Sequence, residues 1–262
     1  MTFLLTLVVL SLAGAFVSGL VGVGGAIVMI PLLLYVPPLL DVGRLDVKTV
    51  TAITMVQVFV AALSGVFAHS RRRAVRRDLA LIGGLTMAAG SLTGALLSHW
   101  ADDRTLLFVF GLMTLSALGL MFIPVETAGQ PIFAERVEFN RPLAMIVCLG
   151  VGLVAGLVGA GGAFLLVPLL MVVVRLPIRV TIGSSLAITA VAATAGVFGK
   201  AVTGQVPFAS TLAVVLGAVP GAQIGALASR RLSGAGLRRV LFVVILISAL
   251  RVWWDLFTHG RS

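Results

Sequence analysis

Of the 262 residues, 60% are hydrophobic and only 11% charged, and the mean hydropathy is +1.17. A soluble domain of this length has no interior large enough for that much apolar surface, so the solvent for most of the chain is lipid. The apolar runs are unbroken, which excludes a transmembrane barrel, whose strands alternate apolar and polar residues.

The net charge of +10 does not point to a nucleic-acid partner. The basic residues stand in short clusters between apolar runs, where they mark cytoplasmic loops of a membrane protein. Cys148 is the single cysteine, so there is no disulfide framework and no Cys-based metal site. It reads as a small apolar residue within a span.

Taken in chain order, the apolar segments of the first half lie near 3–20, 24–40, 49–68, 79–98 and 105–123. The first could pass for the core of a signal peptide. It lacks a basic leader, however, and recurs later in the chain, so it reads as a retained helix. A polar linker follows at 124–141, carrying Pro124, Glu126, Pro131, Glu135, Arg136, Glu138 and Arg141. The second half repeats the pattern near 142–158, 162–174, 180–199, 208–228 and 238–257. The predicted fold class is an all-α polytopic membrane protein with eight to ten spans, since each span needs about 20 apolar residues. Its predicted units are a first repeat over 1–123, a cytoplasmic linker, and a second repeat over 142–262.

The repeat is visible residue by residue. GLVGVGGAIVMIPLLL at 19–34 matches GLVGAGGAFLLVPLLM at 156–171. Gly19, Gly22, Gly24, Gly25 and Pro31 align with Gly156, Gly159, Gly161, Gly162 and Pro168, a constant offset of 137. Further on the offset becomes 131, pairing Thr54 with Ser185 and Gly90 and Gly94 with Gly221 and Gly225.

Loop charges alternate between the halves. Arg71, Arg72, Arg73, Arg76 and Arg77 follow the third segment, where the second half has only Lys200. After the fourth segment the bias reverses: Asp102, Asp103 and Arg104 face Arg230, Arg231, Arg238 and Arg239. Positive loops lie inside, so equivalent loops are expected on opposite sides. Two halves related in that way form an inverted repeat, a construction common in secondary transporters. With the linker inside, both termini are expected outside.

The doubled glycine motif carries two readings. Glycine lets two helices turn and pack closely. A helix restarting at Gly25 or Gly162 also presents free backbone N–H groups at its positive end, which suits an anion. One copy would favour packing; two inverted copies favour binding, because inversion brings both ends toward one place. The third segments add a polar stripe: Thr51, Thr54 and Gln57 in the first half, and Ser185 and Thr189, with small Ala192 and Gly196 beyond, in the second. Hydroxyl and amide groups within lipid must find partners or face a cavity. The expected substrate site is therefore Gly22, Gly24, Gly25, Thr51, Thr54, Gln57, Gly159, Gly161, Gly162, Ser184, Ser185 and Thr189.

The fourth segments carry Gly90-x-x-x-Gly94 and Gly217-x-x-x-Gly221-x-x-x-Gly225, which read as packing stripes. Gln223, polar and mid-span, is expected to bond a neighbour or the substrate. No acidic residue falls mid-span, so a buried carboxylate is not the coupling group. Lys200 and Arg251 read as side chains snorkelling to the interface, beside the aromatic anchor Trp253 and Trp254. His69, His99 and His259 lie in loops or the tail, and no hydrolase or metal motif is present. The chain reads as neither an enzyme nor a cofactor protein.

The two glycine motifs, with the continuation to GLVGAGGAFLLVPLLMVVVRLPIRVTIGSSLAIT at 156–189, resemble the TauE/SafE family, the sulfite exporter-like permeases. The resemblance covers nearly the whole chain apart from the linker. It implies transport of a small sulfur-containing anion, such as sulfite or an organosulfonate, across a bacterial inner membrane. Members of that family are described with about eight spans, which implies that the glycine-motif helices are hairpins that do not fully cross. The competing readings are a structural or assembly membrane protein, whose glycines serve packing alone, and an anion channel.

Overall fold

In the computed structural model, which describes residues 2–21, 25–70, 76–123, 139–228 and 234–258, the described chain is helical. The first half forms α1 (Thr2–Val21), α2 (Ala26–Leu39), α3 (Val47–Ser70), α4 (Arg77–Leu97) and α5 (Asp103–Met121). The second forms α6 (Arg141–Val158), α7 (Ala163–Val172), α8 (Ile178–Val202), α9 (Phe208–Ala228) and α10 (Gly234–Thr258). Residues 124–138 of the linker lie outside the described residues, as do Gly22, Gly24 and Arg71–Arg73.

Eight of these helices are long and apolar enough to cross a membrane. The other two are α2, with 14 residues, and α7, with 10. At 1.5 Å per residue they reach about 21 and 15 Å, short of a hydrocarbon core of about 30 Å. Both begin at a left-handed glycine and contain a proline at the matching position, Pro31 and Pro168.

The helices are apolar on their outer faces as well. Leu5, Leu81, Leu85, Ile146 and Leu250 are all about two-thirds exposed, and only lipid covers such a surface without cost. The interior holds the polar residues: Ser11, Thr51, Thr54, Gln57, Ser91, Thr114, Ser184, Ser185, Thr189 and Lys200 are buried. Cys148 is buried among apolar neighbours, as the sequence predicts.

Small residues set the packing. On α9, Cβ atoms added at Gly217, Gly221 and Gly225 would strike the α1 backbone at Val8, Leu12 and Phe16. On α4, additions at Gly90 and Gly94 would strike the α6 backbone at Leu149 and Leu153. Each contact set climbs in the same sense on both helices, so α1 runs parallel to α9 and α4 parallel to α6. The two pairs exchange when the halves are exchanged. The equivalent helices α3 and α8 run antiparallel, with Thr51 at Lys200 and Met55 at Gly196. So do α5 and α10, with Phe108 at Trp253 and Phe122 at Phe242.

Several helix starts carry side-chain caps. Asp102 accepts from the Thr105 amide at the start of α5, and Asn140 from the Leu143 amide at the start of α6. Each satisfies one of the N–H groups that a helix start leaves without a partner.

Candidate functional site

The glycine motifs form turns that no other residue could form in the same way. Gly25 has φ +72°, and Gly159, Gly161 and Gly162 have φ +70°, +61° and +72°, the left-handed region that L side chains rarely adopt. Their surroundings forbid a side chain as well. A Cβ on Gly25 would lie 2.5 Å from the Ser18 Cβ and 3.2 Å from the Gln57 amide nitrogen. One on Gly159 would overlap the Thr51 carbonyl, and one on Gly161 the Val58 side chain. Both turns therefore abut α3, the first at Gln57 and the second at Thr51 and Val58.

At these turns α2 and α7 begin. The Gly25 carbonyl accepts from the Val28 and Met29 amides, and the Gly162 carbonyl from the Leu165 and Leu166 amides. The amides at the very start of each helix have no intrahelical acceptor, so each start carries partial positive charge.

Thr54, Gln57 and Thr189 are fully buried. The Thr54 and Thr189 hydroxyls and both amide atoms of Gln57 have no hydrogen-bond partner. A further orphan hydroxyl, Thr211, lies in the first turns of α9. Leaving a buried polar group unpaired costs about 1–3 kcal/mol, and native structures contain few such groups. Three of the residues singled out from sequence thus hold donors that the protein itself does not use. A void of about 10 Å³, room for about one water, adjoins Gly25 and is lined by Val17, Ser18, Ile27, Val28, Leu241 and Val244.

The other expected site residues are placed differently. Ser184 accepts a hydrogen bond from the Arg76 amide at 3.1 Å and so fastens the start of α4 to α8. Ser185 is buried and has a partner. Thr51 donates to the Lys48 carbonyl at 2.8 Å and accepts from Lys200 Nζ at 3.0 Å.

Two sequence expectations are corrected. Lys200 does not snorkel: it is fully buried, and its ammonium also donates to the Gln205 Oε1 at 3.1 Å and the Leu157 carbonyl at 3.3 Å. Those acceptors come from α3, α6 and the α8–α9 loop, so no local signal announced them. The clue available in sequence was Thr203 and Gln205, two further polar residues directly after Lys200 in a chain this apolar. Gln223 is exposed on the outer face of α9 and lines no interior site. It lies two residues from Gly221 and Gly225, on the side of the helix away from α1. Arg251 is exposed, as expected of an interfacial residue, and its guanidinium lies 4.3 Å above the Tyr35 ring.

Chemically, the region around Gln57 combines neutral donors with positive helix ends, and neither a carboxylate nor a metal-ligating cluster occurs there among the described residues. The helix start and the groups able to donate are the elements of this region that would suit an anion, while Gln57 Oε1 and the hydroxyl oxygens can also accept.

Comparison with known proteins finds membrane transporters. Residues 6–252 match the family described as "Sulfite exporter TauE/SafE". The chain is 27% identical over 265 residues to "Probable membrane transporter protein YunE" of Bacillus subtilis, covering 95% of this chain and 97% of that one. It is 29% identical over 253 residues to a "Probable membrane transporter protein" of Xylella fastidiosa, covering 91% and 90%. A further B. subtilis relative, "Probable membrane transporter protein YdhB", is 26% identical over 94% of this chain and 98% of its own length. No solved structure matches.

Proposed function

The chain belongs to the sulfite exporter TauE/SafE family of membrane transporters, and we propose that its cargo is a small sulfur oxyanion, sulfite or an organosulfonate. The observation that carries this reading is the unpartnered, buried Gln57 amide beside the Gly25 turn that begins α2, with further unpartnered hydroxyls at Thr54 on the same helix and Thr189 on α8. An anion there would receive several N–H and O–H donors at once. Each such charge-assisted bond contributes about 1.5–3 kcal/mol, so a few offset part of the anion's desolvation without an arginine in the site.

The transport cycle is alternating access between residues 1–123 and 142–262, acting as inverted halves. Three findings support the inversion: the antiparallel courses of α3 and α8, those of α5 and α10, and the reversed charge bias of equivalent loops. In this arrangement the arginine-rich loops after α3 and α9 face the cytoplasm of a bacterial inner membrane, and both termini face outward. Loading requires the two halves to part, as alternating access demands.

The deciding experiment is flux of radiolabelled sulfite and sulfonates into proteoliposomes under an imposed pH gradient. Saturable uptake with counterflow is the expected result. Non-saturable conductance would favour a channel, and absence of flux for every sulfur oxyanion would remove the substrate assignment. Topology has its own check, with single cysteines at Ser70 and Ser233 in a Cys148→Ala background. Neither should react with an impermeant reagent from outside; labelling of either would break the inverted arrangement.

A further inference from the structure

The Lys200 amine is fully buried, and among the described residues no carboxylate pairs with it. Its three neighbours are all acceptors. The Thr51 hydroxyl gives its proton to the Lys48 carbonyl, Leu157 offers a carbonyl, and Gln205 offers Oε1. The Gln205 amide group is held in that orientation because its Nε2 donates to Thr203 Oγ1 at 2.7 Å and Ser98 Oγ at 3.2 Å. Three acceptors around one nitrogen are what an ammonium, with three protons to donate, requires.

Neutral oxygens solvate that charge without balancing it, and buried charges are ordinarily paired. Three carboxylates at this end of the bundle are engaged with backbone amides. Asp46 accepts from the Thr49 amide, Asp103 from the Val47 amide and Asp102 from the Thr105 amide. Among the described residues the ion pair is Arg76 with Asp78, at the other end of α4. Lys48 adds a second positive charge nearby, its Nζ on the His99 carbonyl at 3.0 Å.

Lys200 also stands at the head of a polar ladder. Thr51, Thr54 and Gln57 follow at three-residue steps along α3, each about 4.5 Å of rise, and the last two have no partner. We infer that Lys200 is an anion-binding station at the outer mouth of the α3–α8 seam. An oxyanion replaces Gln205 Oε1 on Nζ and then passes along α3 to Thr54 and Gln57. Gln205 is the replaceable neighbour, because it is half-buried in a loop and follows Gly204, around which there is open space. This inference rests on the anion reading above but not on which anion is carried.

Thermal unfolding of the full-length protein in detergent, with and without sodium sulfite or sodium methanesulfonate at matched ionic strength, tests it beside sulfite flux in proteoliposomes. The ligand should raise the melting temperature of the wild type and of Lys200→Arg, but not of Lys200→Met, whose KM should rise at least tenfold. Gln205→Glu places a carboxylate on the ammonium. That variant should be more stable without ligand, should lose the response to added anion, and should transport at least tenfold more slowly. It decides the matter if Lys200→Met fails to fold, because a purely structural lysine would be strengthened by it with transport unchanged.

A Lys200→Met protein that keeps its ligand-induced shift and a KM within twofold of wild type overturns the inference while leaving the sulfite reading standing. A wild type that responds to methanesulfonate but not sulfite, with the response lost in Lys200→Met, supports the station and removes sulfite as cargo. A wild type that responds to neither anion overturns the station.

Discussion

Thr51 and Gln57 lie on one helix, two turns apart, and both are fully buried. At Thr51 every polar group is engaged: the hydroxyl joins Lys48 to Lys200, and the network runs on through Gln205 to Ser98 and Thr203. At Gln57 and Thr54 nothing is engaged. Burial is the same, residue chemistry is similar and the helix is shared. The difference is that the first region has acceptors from three other elements, whereas the second has glycine turns that present backbone donors and little else. A region already satisfied holds helices together and takes up a ligand only by exchanging one of its partners, as inferred for Gln205 at Lys200. A region of buried, unsatisfied donors offers partners to whatever enters it, which is the basis of the proposed anion site.

The most severe way to break the satisfied region is Gly159→Ala. The new Cβ would press on the Thr51 carbonyl at a left-handed φ, and strain plus backbone displacement should cost about 3–5 kcal/mol. Yield of monodisperse protein in size-exclusion chromatography should collapse. Gly204→Ala, at the same φ of +70° but with open space around it, should cost only about 1 kcal/mol and leave the yield intact.

The unsatisfied region predicts the opposite split between stability and function. Thr54→Val and Gln57→Leu remove orphan groups, so the melting temperature should hold or rise. Sulfite flux should fall about 10–100-fold for each, from the loss of one charge-assisted bond. If flux is normal in the double variant, the donors do not meet the cargo.

Thr51→Val sharpens the contrast. One turn from Thr54, the same substitution takes an acceptor from the buried ammonium and should destabilise by about 1.5–3 kcal/mol, read by thermal unfolding. Ser98→Ala, at the far edge of that network, should lose only about 0.5–1.5 kcal/mol. If Thr51→Val and Thr54→Val shift the melting temperature in the same direction, the two regions are not different in kind.

The segments read from hydropathy became helices within a few residues of their expected bounds, because lipid leaves the backbone no other way to satisfy itself in a span. The glycine turns were legible for a related reason: an aligned Gly, Gly and Pro set recurring at one offset has few structural uses. Thr54, Gln57 and Thr189 stood out as hydrogen-bonding groups in apolar helices. Gln223 could have been read better. Gly217, Gly221 and Gly225 define the face that meets α1, and Gln223 projects from the other side.

What the chain determined by itself is the set of properties carried within one helix or one repeat: apolar length, where glycine permits a turn, and which faces are small enough to pack. Tertiary structure decided which polar groups find partners. Lys200 and Thr51 are 149 positions apart, and Ser184 and Arg76 are 108 apart. Whether a hydroxyl or an ammonium inside the bundle is satisfied depends on what another helix brings to within about 3 Å. Neither periodicity nor composition encodes that distance, so a lysine read as interfacial proved buried, and a serine read as a ligand also fastens a helix start.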